Sequence, residues 1–250
     1  MRLFNYTDCI LMVNRVKTRK QRELAQRHQL ILEQSIELIH AEGISSVRME
    51  RLAQLTEYSK GTIYQHFTGR EDLLLSVSNT SLDKQLTAIG AIESLSLSLR
   101  EKLIAIIFAY QIMNGQQRSQ LELLKFVQSE ECQSKASAAT LSEHHSLYSK
   151  LVGSVYDVIH QAINTQKLQL KNNITADDIF GSVWAFAFGA TFLNALSANK
   201  TQSLCPKVTE VGLIKLISTS FDALAWEPLS HQYDENALYE KVLILCKSIG

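Results

Sequence analysis

The residues able to do chemistry concentrate in one stretch, Ser59-Lys60-Gly61-Thr62-Ile63-Tyr64-Gln65-His66-Phe67, followed closely by Arg70 and preceded by Arg48. An ammonium, a hydroxyl, a phenol, a carboxamide and an imidazole within two helical turns form a donor-rich set suited to phosphate oxygens and base edges. Catalytic patterns are missing from the sequence: there is no GxSxG, no HExxH, no phosphate loop and no paired-carboxylate spacing. Cys9, Cys132, Cys205 and Cys246 are scattered without a CxxC pair, and the adjacent His144 and His145 would point about 100° apart on a helix. No metal site, cofactor or enzymatic activity is expected.

Positioning these side chains requires short helices. Leu24, Ile31, Leu32, Ser35, Ile36 and Ile39 recur at three- and four-residue spacing and predict a helix over 22–42, with Gly43 as a left-handed stop. A short helix over 48–55 with Met49, Leu52 and Ala53 inward, a turn at Thr56-Glu57-Tyr58, and Ser59 capping a second short helix over 60–67 make a helix-turn-helix. Its second helix would present Lys60, Gly61 and Thr62 at the end that enters a major groove. Gly61 would let the backbone approach DNA; Tyr64 and His66 would reach phosphates, or else pack as a half-buried pair; Gln65 could read an adenine. Ile63 and Phe67, four apart, would fill the core.

The stretch Gly43 to Leu75 resembles the DNA-binding domain of the TetR family of bacterial transcriptional regulators. Gly43, Leu52, Ala53, Ser59, Lys60, Gly61, Thr62, Ile63, Tyr64, His66, Phe67, Glu71 and Leu73 carry the resemblance. It implies a DNA-facing set of Lys60, Thr62, Tyr64, His66 and Arg70. Arg48 stands where many relatives have Thr, so capping there falls to Ser45, Ser46 or water, and Arg48 is free to meet phosphate or guanine.

The remainder reads as long helices over 96–114, 117–131, 136–168, 176–199, 207–226 and 234–248. The 250 residues contain only 2 Pro and 10 Gly, against roughly 12 and 17 at average usage. An all-α chain is therefore expected: residues 1–20 a basic arm, 21–72 a three-helix helix-turn-helix domain, and 73–250 a larger helical ligand-binding and dimerisation domain. Met12 is an alternative start to Met1.

Charge sharpens this division. The chain is formally neutral, but residues 1–72 hold eleven Lys and Arg against nine Asp and Glu, and the rest fourteen against sixteen. Neutrality argues against a nonspecific architectural binder, whose affinity would rest on phosphate neutralisation. Arg15, Lys17, Arg19 and Lys20 suit an extended arm entering a minor groove. No apolar run approaches the roughly 18 residues of a spanning segment, so a cytoplasmic protein without membrane contact is expected.

A single recognition helix gives little affinity, so a homodimer on two half-sites is expected. Phe188 and Phe192 of the helix over 176–199, with Ile214, Ile217 and Phe221 of the next, form the candidate interface, and Gly181, Gly189 and Gly212 would allow close helix approach. Tyr110, Met113, Phe126, His144, Tyr148, Tyr156 and Trp184 offer apolar bodies with polar tips for a small-molecule effector. The sequence thus points to a homodimeric regulator of a double-stranded DNA operator, a repressor released by a ligand. The alternative is a helical ligand-binding protein or enzyme with an incidental helix-turn-helix.

Overall fold

The computed structural model of the chain describes residues 19–114, 118–171, 173–197 and 208–249. All its regular elements are helical. They are α1 (Arg19–Glu42), a 3-10 turn (Ile44–Ser46), α2 (Met49–Leu55), α3 (Lys60–His66), α4 (Arg70–Glu93), α5 (Leu99–Asn114), α6 (Arg118–Val127), α7 (Glu130–Lys135), α8 (Ala138–Asn164), α9 (Ala176–Ser197), α10 (Glu210–Ala223), a second 3-10 turn (Ser230–Gln232) and α11 (Glu235–Ile249).

Periodicity explains α1: Ile31, Leu32, Ser35, Leu38 and Ile39 are its buried residues. Gly43 ends it at φ 85°, a backbone conformation that costs glycine little, and its N–H donates to Ile39 O at 2.9 Å. The turn between α2 and α3 uses a left-handed Glu57 at φ 58°. Ser59 then caps α3, its Oγ accepting from Thr62 N at 3.0 Å. At the start of α2, Ser46 does not cap as expected: its Oγ donates to Gly43 O at 2.6 Å, and Arg48, the N-cap residue, supplies no side-chain cap.

Two apolar cores result. The first joins Ile31 and Ile39 of α1, Met49 and Leu52 of α2, Ile63 and Phe67 at α3, and Leu73 to Leu75 of α4. The second fills the body, with α5, α8, α9, α10 and α11 contributing. The boundary expected between 72 and 73 falls inside α4, whose first turns lie in the first core and whose later residues Leu82, Ala88, Ile89 and Ile92 lie in the second. Leu123, Val127 and Cys132 also leave the body to complete the first core. One continuous helix therefore couples both cores mechanically.

Other boundaries shift for local reasons. The helix expected over 117–131 is two helices, because Ser129 caps α7 by accepting from Cys132 N at 3.2 Å; Glu130 and Glu131 favour the new N-terminus. In the body, Arg100 is fully buried. Its guanidinium meets Asp222 at 2.6 Å, Trp226 O at 2.7 Å and Ser218 O at 2.8 Å, tying α5 to the end of α10. Among the described residues, no helix is long and apolar enough to cross a membrane.

Candidate nucleic-acid interface

Burial of Ile63 and Phe67 fixes which face of α3 turns outward. Lys60, Gly61, Tyr64 and Gln65 are exposed, Thr62 partly so, and Tyr64 keeps 46% of its surface accessible despite its size. Arg48 and Arg51 are exposed at α2, Arg51 lying 3.8 Å from Glu42, and exposed Arg27 of α1 lies near His66. Lys60 pairs with Glu50 of α2 and its ammonium lies 5.8 Å from the Tyr64 ring centroid. That hydrogen bond and charge raise the Lys60 pKa and lower that of Glu50.

A Cβ on Gly61 would meet nothing nearer than Ser59 Oγ at 3.7 Å. The fold therefore does not demand glycine there. Arg48 is exposed at the α2 N-terminus, as a phosphate or guanine contact would require.

Two residues expected at the DNA face inward. Arg70 Nε donates to Val47 O at 2.9 Å and Nη2 to Ile44 O at 2.8 Å, while its guanidinium lies 5.1 Å from the Phe126 ring centroid. It fastens the turn before α2 to α4 and α6, since a planar guanidinium satisfies carbonyls and an aromatic face together. His66 packs 5.7 Å from the His28 ring, and its Nε2 is buried without a hydrogen-bond partner among the described residues. Burial, His28 and Arg27 hold its pKa down, so the half-buried packing alternative describes His66 and the exposed one Tyr64. Phe126, expected at a ligand pocket, serves the Arg70 junction.

The expected arm is divided. Arg15 and Lys17 lie outside the described residues. Arg19 and Lys20 are the first residues of α1 rather than an extended arm; Arg19 Nε donates to Glu23 at 2.8 Å, one helical turn on. Helix propagation extends α1 because nothing in Arg19 to Gln21 breaks it.

Asp72 is not singled out by the sequence. It is 3% exposed and accepts from Thr68 N at 2.8 Å, Thr68 Oγ1 at 3.0 Å and Ser137 N at 3.1 Å. Burial alone would raise its pKa, but these bonds outweigh it and hold the carboxyl below the ordinary value. Asp72 thereby joins the end of α3 to the start of α8. The only sequence signal was an acid four residues after Thr68.

The seven expected pocket residues do not converge. Tyr110 and Trp184 line an apolar cavity of about 40 Å3 with Gln85, Ile107, Phe180 and Val183. Tyr148 approaches Trp184 edge-on at 6.2 Å. Met113 lines a separate cavity. Tyr156 stacks on Phe180 at 4.5 Å and donates to Asp177 at 2.8 Å on the surface. His144 is buried, its Nδ1 2.8 Å from Asn79 Oδ1 and its Nε2 unpartnered among the described residues, and burial holds its pKa down. Among the described residues, no cluster of three His, Cys, Asp or Glu could hold a metal.

The expected dimer face also needs revision. Ile214, Ile217 and Phe221 are each at most 3% exposed, in the chain's own core; on helices apolar on two sides, an i,i+4 stripe does not reveal which side faces inward. Phe186, Phe192 and Leu216 are the outward large residues of α9 and α10, at 42%, 38% and 64% exposed, while Phe188 is half-buried. Gly212 serves the α10 cap, where an added Cβ would lie 2.8 Å from Thr209 Oγ1.

Among the described residues, a helix-turn-helix is thus seated on a larger all-α body. Residues 31–77 match the family described as bacterial regulatory proteins, tetR family. An uncharacterized HTH-type transcriptional regulator of Bacillus subtilis (strain 168), YuxN, is 33% identical over 66 residues, 26% of this chain and 23% of that protein. The chain thus aligns with about a quarter of that relative's length. Similar folds are seen in AibR in complex with isovaleryl coenzyme A and operator DNA (TM-score 0.55, 16% identity, 78% of this chain and 98% of that one). FadR from Bacillus subtilis in complex with stearoyl-CoA gives 0.53, 14%, 79% and 97%, and PfmR from Thermus thermophilus, a TetR family regulator, 0.54, 14%, 81% and 96%.

Proposed function

We propose that this chain is a sequence-specific DNA-binding transcriptional regulator that acts as a homodimer, represses, and leaves its operator when a small molecule binds the body. The observation that carries the reading is the outward face of α3, where Lys60, Gly61, Thr62, Tyr64 and Gln65 stand around a helix whose opposite side is locked by Ile63 and Phe67. Lys60, Tyr64 and Arg48 take phosphates, Gln65 and Thr62 take base edges, and Gly61 allows the approach. Arg15 and Lys17 add minor-groove contacts from the preceding segment.

Two features of the body support the rest. Exposed Phe186, Phe192 and Leu216 suit burial against a second copy, and Gly181 and Gly189, with open space where a Cβ would stand, let the helices approach closely. The cavity beside Tyr110 and Trp184 is apolar. A mainly hydrocarbon effector fits this lining, widening a narrow space. Because α4 runs through both cores, widening the body shifts the recognition helices, whose separation must stay near one DNA turn, roughly 34 Å.

Selection of bound duplexes from a random DNA pool tests the proposal. A palindromic consensus with half-site centres one turn apart is expected, and the purified chain should sediment as a dimer. If no sequence is enriched over bulk DNA, the regulator reading fails.

A further inference from the structure

A second cavity, of about 290 Å3, opens where α1 meets the body. Its walls come from five helices: Ile36 and Ile39 of α1, Val77 of α4, Met113 of α5, Leu123 of α6 and Cys246 of α11. It shares no residue with the cavity beside Tyr110 and Trp184. The lining is largely apolar, yet Lys84 and Lys247 both reach it. Lys84 is partly buried and Lys247 exposed. Among the described residues neither meets a carboxylate, whereas Lys60, Lys135 and Lys167 each pair with a glutamate.

An ammonium group at the edge of an apolar wall, with no carboxylate beside it, favours an anion as its partner. Two such groups beside a hydrocarbon surface are complementary to a molecule with an alkyl body and one acidic head. We propose that this cavity is a second small-molecule site, taking an amphipathic anion such as an alkyl carboxylate or alkyl phosphate. Its head lies against Lys84 and Lys247, and its chain lies among Ile36, Ile39, Val77, Met113 and Leu123. His40, also in the wall, is 3.2 Å from Gln120 of α6, so the occupant lies beside a direct link between α1 and the body. A molecule held there touches α1 and four body helices at once. Its affinity depends on how they sit together, and by linkage its binding biases that placement.

Isothermal titration calorimetry of the full chain with decanoate, decyl phosphate and 1-decanol tests the site without DNA. At least one anion should bind ten-fold or more tighter than the alcohol of equal chain length, and the tighter of the two identifies the head group. In the Lys84→Met/Lys247→Met double variant that advantage should vanish while decanol binding stays as it was. The proposal is overturned if neither anion outbinds decanol in the parent chain, or if the preference survives removal of both lysines in a variant with unchanged far-ultraviolet circular dichroism. Since no DNA is present, either failure leaves the regulator reading standing, and a chain that selects no operator can still pass.

Discussion

The two ends of the helix-turn-helix motif treat a cation differently. At the head of α3, Lys60 is exposed and held by Glu50; in the junction after α3, Arg70 is locked by two carbonyls and the Phe126 ring. A solvent-exposed ion pair adds little net stability, so a phosphate can displace Glu50 at little cost. Arg70 has no such freedom, because releasing it strands the carbonyl of fully buried Val47. The same motif thus contains one cation in an exchangeable surface pair and one committed to holding the motif on its body.

This contrast can be broken by substitution, and the junction should give the larger effects. Asp72→Ala removes a buried carboxylate with three donors and should cost about 3 kcal/mol or more, measured by urea denaturation. Arg70→Ala should cost about 2 kcal/mol, with Arg70→Lys recovering only part because a compact ammonium lacks the planar fork that spans both carbonyls and the Phe126 face. If either variant weakens DNA binding with unchanged stability, the junction is itself a DNA contact.

At the exposed end the expected pattern reverses. Lys60→Ala should leave the melting temperature nearly unchanged while weakening binding to a selected duplex and lowering the salt slope by about one. Gly61→Ala should likewise fold normally but bind more weakly; a variant that binds as well as the parent would show that nothing approaches this backbone closely.

The smallest effect concerns pH. Burial lowers the pKa values of His28, His66 and His144 in the folded chain. The unfolded chain therefore takes up protons first as pH falls through the ordinary histidine value, about 6.5. Stability should decline from there down to the lowered folded values, with full stability above that window. His144→Gln should flatten the decline in thermal melts between pH 7.5 and 5.5; an unchanged slope would mean His144 is protonated as readily folded as unfolded.

Much of the architecture was legible because local rules agreed. Gly43, Ser59 and the Ile63/Phe67 pair each fix one backbone or packing choice, and their combined spacing defines α1 to α3. Ser129 was equally visible as a cap, yet the longer apolar period around it masked the break between α6 and α7. The candidate pocket was least legible: Tyr110 and Trp184 meet, but Met113, Phe126, Tyr156 and His144 serve other neighbours. An aromatic residue on a helix face announces burial without naming its partner, and partners in this fold lie as far apart as Gln111, whose Nε2 donates to Ala187 O 76 positions away.

By itself the sequence determined the all-helical class, the helix-turn-helix and the residues on the outer face of α3, because helix periodicity, capping and turn chemistry act over a few residues. Only the tertiary structure decided that Arg70 and Asp72 are struts, that His66 turns inward, that the inner stripe of α10 belongs to the chain's own core, and that a lysine-bearing cavity opens beneath α1. Each of those outcomes depends on which distant helix arrives at a given face, and long-range packing, set by the shape and polarity of both surfaces together, is not encoded in the spacing of either one alone.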